Sequence, residues 1–351
     1  MQIGLFDYHL ELERIAQEPA YPRDSAKLMF ISRKTEKIED GLASDLVKKL
    51  GTNDVLVFNQ TKVMPVRLFG QKSTGGKIEL LLTKHINENT WEAISTPGLK
   101  AGQKLEIGVL KAEVVDRNEE IITLRFFDRG EYLRERIFEF GKTPIPPYIH
   151  SLKTERELRR IYQTVYAKRE GSVAAPTAGL HFTKEMMIAL RDKGVQLEFL
   201  TLHIGLGTFR SVKTEKIEDH KMHTERFSLD EETARRLNQA KADGKNIISV
   251  GTTTTRVLES CADESGVLSP KEGETGIFIY PPYKFRFVDR LMTNFHLPKS
   301  TLLMLVSAFV STPNTKDKFT SFKRSLIGKA YAHAIEKEYR FFSFGDAMLI
   351  S

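Results

Sequence analysis

Two rhythms of apolar residues run along the chain and divide it into stretches of different texture. In "EKIEDGLASDLVKKLG" (36–51) apolar residues fall at 38, 42, 46, 47 and 50, and Gly51 follows. That is the spacing of a helix face with a stop, so a helix is expected there. "DVLVFNQ" (54–60) is a short continuous apolar run, the composition of a buried strand. From Arg67 to about Phe127 the rhythm shortens to alternation, in "GGKIELLL", "TWEAIS", "QKLEIGVLKAEVVD" and "EEIITLRFF". Turn residues stand at Gly75-Gly76, Pro97-Gly98 and Asn118. This predicts a small all-β unit, barrel-like. Helical texture returns over 153–170. Past Ala175 the two kinds of element alternate: a helix over 184–193, a strand "VQLEFLTLHI", a helix over 229–242 opened by the capping-box pair Ser228 and Glu231, a strand "NIISVG", and a helix from about Thr254. Alternating elements predict an α/β layered domain. The fold class expected is therefore α/β, a main α/β domain interrupted by an inserted small β-barrel domain. Residues 1–66 and 153–351 would form the discontinuous α/β domain and 67–152 the insert.

Bulk properties narrow this picture only slightly. At 351 residues, with 40% apolar and 28% charged, the chain has room for about two soluble domains. Its single cysteine, Cys261, excludes an intrachain disulfide and a multi-cysteine zinc site. The strongest apolar run, "LLMLVSAFV" (302–310), is far short of the ~20 residues that span a bilayer. The N-terminal stretch carries acids early and lacks a basic-then-apolar leader pattern. The expectation is a cytoplasmic protein without a membrane partner. The formal net charge of +7 permits a nucleic-acid partner through a local patch without requiring one.

Candidate chemistry sits between the elements. "LHIGLGTFR" (202–210) offers Gly205 and Gly207, but the dinucleotide fingerprint Gly-x-Gly-x-x-Gly needs a glycine where Arg210 stands and a helix directly after. A Gly-Lys-Ser/Thr phosphate loop is absent from the chain. "AAPTAGLHFT" (174–183) places small residues with Thr177 and His181 before a helix start near Thr183, a setting in which free backbone N–H groups can meet a polar ligand. "GTTTTRVLES" (251–260) puts four hydroxyls and Arg256 at the carboxyl end of a strand, the edge where open α/β sheets bind ligands. In "TNFHLPKSTLLMLVSAF" (293–309), Asn294 and His296 precede a core helix that Ser300 or Thr301 can cap. His220 and His223, with Glu225, lack a third ligand placed by spacing, so no metal is expected. Two basic clusters could meet phosphates: 153–170, where Tyr162 and Tyr166 interleave with cations, and "KDKFTSFKRSLIGK" (316–329).

Taken in order, "AQEPAYPRDSAKLM", "DVLVFNQTKVMPVRLFG", "YQTVYA", "GSVAAPTAGLHFT", "LHIGLGTFR", "HKMHTE", "VGTTTTRVLES", "TNFHLPKSTLLMLVSAF" and "YRFFSFGDAMLI" resemble the S-adenosylmethionine:tRNA ribosyltransferase-isomerase family of the queuosine pathway. The resemblance runs from Asp7 to Ile350 and is weakest across the β-rich insert. One departure is Pro282 in "YPPYKF", where the family usually has glycine; proline fixes φ and removes an N–H that a ligand contact would use.

The resemblance implies an α/β domain interrupted by a barrel, a monomer, and a transferase acting on tRNA. The acceptor would be 7-aminomethyl-7-deazaguanine at the anticodon wobble position. S-adenosylmethionine would be consumed as ribosyl donor, so no cofactor is implied, and adenine and methionine would leave as epoxyqueuosine forms. The sulfonium acidifies the ribose C5′ protons, so a base is needed, and histidine is the natural proton carrier near neutral pH. Three histidines lie in matched motifs, His181, His203 and His296, and the base is expected among them; Asp24 and Asp346 are alternative carboxylates. Arg23, Arg67, Arg210 and Arg256 could hold the methionyl carboxylate or tRNA phosphates through their bidentate fork. Thr252, Thr253, Thr254 and Thr255 could bond ribose hydroxyls or adenine. Asn59, Thr177, Gly205, Gly207, Thr208 and Asn294 complete the expected substrate contacts. His203, Thr208 and Arg210 are expected to face one pocket together with His181, Thr252 and His296. A methyltransferase using the same donor is the main alternative, although its glycine-rich loop and its acid after the second strand are not evident. A non-catalytic RNA-binding module is the other.

Overall fold

Continuous apolar character at 55–58 becomes a strand buried on both faces, and that strand organises the molecule. The computed structural model describes residues 1–205, 212 and 214–351. In chain order its strands begin with β1 (Lys27–Ile31), β2 (Ile38–Leu42), β3 (Asp54–Asn59) and β4 (Thr61–Val63). A run of six follows: β5 (Arg67–Lys72), β6 (Lys77–Asn87), β7 (Thr90–Thr96), β8 (Lys104–Ile107), β9 (Leu110–Asn118) and β10 (Ile121–Phe126). The rest are β11 (Arg169–Ser172), β12 (Gln196–Leu202), β13 (Glu225–Leu229), β14 (Asn246–Val250), β15 (Lys271–Thr275), β16 (Arg290–Asn294) and β17 (Ala347–Ile350). The helices are α1 (Leu46–Lys49), α2 (Gly130–Phe140), α3 (Glu155–Ile161), α4 (Lys184–Asp192), α5 (Glu231–Ala242), α6 (Thr252–Cys261), α7 (Thr301–Phe309) and α8 (Leu326–Glu336).

The main sheet has the order β15-β13-β12-β3-β14-β16-β17-β1-β2. Its central strands β12, β3, β14 and β16 run parallel, and β17 turns back antiparallel to β16. Two apolar clusters cover its faces, one built on α5, α6, α7 and α8, the other on α1 and α4. That is why β3 reads as an uninterrupted apolar run rather than an alternating one. β5 to β10 close into a barrel in the order β10-β7-β6-β5-β8-β9, with alternate residues such as Leu68, Leu80, Ala93, Leu105 and Leu124 filling it. Closure removes the free edges these short strands would otherwise expose. The expected fold class, an α/β architecture interrupted by a small barrel, is the one observed.

Several local expectations are corrected. Residues 36–51 are not one helix: 38–42 form edge strand β2, paired antiparallel with β1 from Lys27↔Leu42 to Ile31↔Ile38, and only Leu46–Lys49 is α-helical. Gly41 allows this pairing, since a Cβ there would lie 2.8 Å from the Phe30 ring. Pairing energy overrides a weak 3.6-residue pattern. In 153–170 only Glu155–Ile161 is α-helical, opened by a Thr154–Glu157 capping box, and Arg169 begins β11, which runs parallel to β4. Ser228 does not cap α5. It lies in β13, and the Asp230 carboxylate accepts from the Thr233 N–H instead. Helix α6 starts at Thr252, and α7 is capped by Ser300. Among the described residues no helix is long and apolar enough to cross a membrane.

Candidate active site

Four parallel strands end on one edge of the main sheet, and the matched motifs sit just beyond them. β3 ends at Asn59, β12 at Leu202 before His203, β14 at Val250 before Gly251, and β16 at Asn294 before His296. This is the edge at which open α/β sheets bind ligands. Asn59 is fully buried and ties the edge together. Its Nδ2 donates to Leu202 O at 2.9 Å and Thr253 Oγ1 at 3.3 Å; its Oδ1 accepts from Leu202 N and Thr61 N. The start of α6 has Gly251 at its N-cap, φ 94°, with no side-chain cap. Of the four threonines, Thr254 donates back to Val250 O and Thr255 to Gly251 O, so both serve the helix. Thr252 and Thr253 instead line a cavity of about 40 Å³ with Thr177, Asn294 and His296.

Within that small cavity the polar groups hold one another. Asn294 accepts from Thr177 Oγ1 at 3.1 Å, and its Nδ2 lies 3.3 Å from Nε2 of His181, which is buried behind it and lines neither cavity. His296 is pinned at three points: its N–H donates to Tyr331 Oη, its carbonyl accepts from Tyr8 Oη, and its Nε2 lies 3.0 Å from Thr293 Oγ1. Burial pushes His181 down to about 4 and His296 down to about 3, so both rings are neutral near pH 7.

His203 and Gly205 face a second, much larger space of about 700 Å³ between the barrel and the main sheet. Its walls are apolar on the barrel side, with Leu82, Trp91, Ile94, Leu133 and Ile137. Its lining carries Glu88, Glu92, Glu131, Glu170 and Glu274 with Lys84, Arg134 and Arg226, and the buried Glu225; Glu131 and Glu170 pair with Arg134 and Glu274 pairs with Lys84. His203 is half-buried. Its Nδ1 lies 2.8 Å from Thr61 Oγ1, and burial followed by the Arg226 charge lowers its pKa. The ring lies over Gly171, where a Cβ would come within 2.9 Å of Nδ1. With φ +139° as well, only glycine fits at Gly171. The expected single pocket is therefore two spaces set back to back. Val173 and Gly205 line the large one; their chain neighbours Ala174 and Ile204 line the small one.

Glu225 lines the large space. Its Oε1 accepts from Gly205 N at 2.9 Å and its Oε2 pairs with Arg256 Nη1. Glu225 and Arg256 are 5% and 4% exposed, and Arg256 Nε and Nη2 have no partner among the described residues. Glu225 enters the sequence reading only beside two histidines as a metal ligand; here it is the counter-ion of a buried guanidinium.

Other expected residues stand apart. Arg67 donates to Ile145 O and pairs with Glu79, fastening the barrel to the following segment. Arg23 donates to Arg160 O, Ile161 O and Gln163 O, closing the carboxyl end of α3. The Asp346 carboxylate is buried and accepts from Lys27 N, Arg340 N and Arg340 Nη2, so it braces the β1–β17 junction rather than facing a cavity. Asp24 lies in the turn Arg23–Ser25 and lines neither cavity. Gly207, Thr208 and Arg210 lie outside the described residues. Tyr162 is fully buried in a core cluster and does not interleave with exposed cations, whereas Lys316, Lys318, Lys323, Arg324 and Lys329 are all exposed. Thr61 and Trp91 escape the sequence reading. Trp91 is the only tryptophan of the chain, a signal that was available.

A mixed sheet whose parallel strands end in a polar cleft, with a barrel facing a ligand-sized cavity, defines an α/β enzyme with an accessory barrel. Residues 3–350 match the family model described as queuosine biosynthesis protein. The chain is 49% identical to the S-adenosylmethionine:tRNA ribosyltransferase-isomerase of Clostridium kluyveri and 48% identical to that of Caldanaerobacter subterraneus subsp. tengcongensis, each over 100% of both chains. The crystal structure of S-adenosylmethionine tRNA ribosyltransferase from Thermotoga maritima matches with a TM-score of 0.55 at 36% identity, over 99% of this chain and 100% of that one. The chain belongs to the queuosine biosynthesis family, the S-adenosylmethionine:tRNA ribosyltransferase-isomerases.

Proposed function

We propose that the chain transfers and isomerises the ribosyl moiety of S-adenosylmethionine onto 7-aminomethyl-7-deazaguanine at the wobble position of tRNA, releasing adenine and methionine. S-adenosylmethionine is a substrate in this reading and no further cofactor takes part. The observation that carries it is the large cavity next to His203: about 700 Å³, apolar on one wall and lined by more glutamates than cations. Such a space suits a nucleoside joined to a cation, and both the sulfonium donor and the aminomethyl acceptor are cationic. The small cavity, about 40 Å³, takes no nucleoside. Its uncapped α6 start and Thr252 suit a polar appendage of a ligand held next door.

The base in this scheme is His203. The 2.8 Å contact of Nδ1 with Thr61 Oγ1 fixes the ring, and in this scheme the tautomer protonated at Nδ1 leaves Nε2 the lone pair that takes a proton from C5′. His296 and His181 are too strongly depressed, and too firmly bonded, to match that task; they position Asn294 and the small cavity. Departure of adenine and attack by the amine then need the two substrates side by side in the large cavity. We also take 67–152 as the inserted unit, the rest as the discontinuous α/β unit, the working form as a monomer and the compartment as cytoplasmic. Mass spectrometry of digested precursor tRNA tests the reading: a ribosyl-derived mass gain is expected only with S-adenosylmethionine, together with free adenine and methionine. Formation of S-adenosylhomocysteine instead would make the chain a methyltransferase.

A further inference from the structure

The barrel wall of the large cavity holds a donor without an acceptor. Trp91, 9% exposed, lines that cavity from β7, and its Nε1–H is buried with no partner among the described residues. A buried indole N–H nearly always finds an acceptor, because leaving it unpaired costs its full desolvation. The rest of the barrel core is aliphatic apart from Phe126, and none of those side chains carries a polar group as the indole does. Opposite Trp91 across the β6–β7 hairpin is His85, exposed, with its ring 4.5 Å from the indole and tilted by 44°. His85 is held there by its carbonyl, which accepts from Arg226, and by a bond from its ring to the Asn87 backbone; the ring also leans on the indole. A flat ring leaning on an unpartnered indole marks a place that another flat ring can take.

We propose that the indole of Trp91 is the recognition element for a planar nitrogen heterocycle carrying a nearby cation. The heterocycle displaces the His85 ring, lies against the apolar barrel wall and accepts the Nε1–H at a ring nitrogen or carbonyl. Glu88, in the turn of the same hairpin and lining the same cavity, faces the attached cation. The inference rests on the reading above, under which two groups answer this description: the adenine of the sulfonium donor and the deazaguanine of the aminomethyl acceptor.

Because Trp91 is the only tryptophan, its fluorescence reports the site directly. The full chain is titrated with S-adenosylmethionine and, separately, with anticodon stem-loops bearing 7-aminomethyl-7-deazaguanine or guanine. The same ligands are titrated calorimetrically into W91F, and both proteins are melted. A saturable fluorescence change is expected with one of the two heterocycles. W91F is expected to bind that one about 3- to 10-fold more weakly, the worth of one hydrogen bond, and the other unchanged. Its melting temperature should be unchanged or higher, since it loses an unpaired donor. Loss confined to S-adenosylmethionine assigns the site to adenine; loss confined to the modified stem-loop assigns it to the deazaguanine. Unchanged fluorescence and unchanged affinities overturn the proposal, as does a lowered melting temperature with equal loss for both ligands, which is what a packing role would produce. The tRNA mass gain of the unaltered chain is followed in parallel: its absence refutes the ribosyl-transfer reading, whereas its presence with an indifferent W91F refutes only the role of Trp91.

Discussion

Three histidines that look equivalent as letters become different chemical objects once burial is known. His203 is half-buried beside a ligand-sized space, so H203A should fold normally and lower kcat by about 10²- to 10⁴-fold, the usual share of a general base, measured by adenine release. With its pKa held below the ordinary value, kcat/KM should stay level around pH 7 and fall only on the acid side of 6.5. His296 and His181 act on stability instead. Their folded pKa values, about 3 and about 4, lie below the unfolded value, so between pH 6.5 and about 4 the unfolded chain binds more protons than the folded one. Stability is full above pH 6.5 and falls as pH drops through that window, by up to about 1 kcal/mol per pH unit for each ring. Urea unfolding at a series of pH values should show this slope, and H296Q should flatten it. A slope unchanged in H296Q would remove His296 as its source.

At the scale of the element, polar positions between strands and helices carry more than local propensity reveals. Asp230, not Ser228, satisfies the first turn of α5, so D230A should cost about 1 kcal/mol in denaturant unfolding while S228A changes little. Gly251, at φ 94°, lets the start of α6 stay open toward the small cavity. G251A should destabilise by about 1–2 kcal/mol through backbone strain, although its Cβ would have room. The two threonines that follow differ from the next two only in the direction the helix turns them. Four hydroxyls in sequence look alike; the structure gives two to the helix backbone and two to the cavity. The edge strand β2 shows the opposite case, where a helical spacing is overruled because β1 needs a partner on its outer side.

On the scale of the whole molecule, a buried ion pair joins what the chain keeps far apart. Glu225 and Arg256 connect β13, Gly205 and α6 across the sheet edge. Removing one partner strands a buried charge, so E225A should lose about 3–5 kcal/mol of stability, while the double change E225L/R256M should recover most of it in unfolding assays. The charge distribution also has two signs at work. The chain is +7 overall, with exposed cations over 316–329, whereas the large cavity is lined by more glutamates than cations. Affinity for tRNA should fall linearly on a log–log plot against salt, and neutralising Lys316, Lys318, Lys323 and Arg324 should flatten that line. Binding of S-adenosylmethionine alone should respond far less. An unchanged slope would clear this cluster of phosphate contacts.

By itself the sequence determined the alternation of barrel and α/β texture, the family, and the motifs that gather at the strand ends, because periodicity, glycine and hydroxyl placement are local properties of the chain. It could not say that His203 and His296 belong to different spaces, that Arg23, Arg67 and Asp346 brace the backbone, or that Trp91 holds an unpaired donor. Those distinctions depend on which groups burial removes from water and which partners reach them from distant positions, and tertiary packing alone sets both.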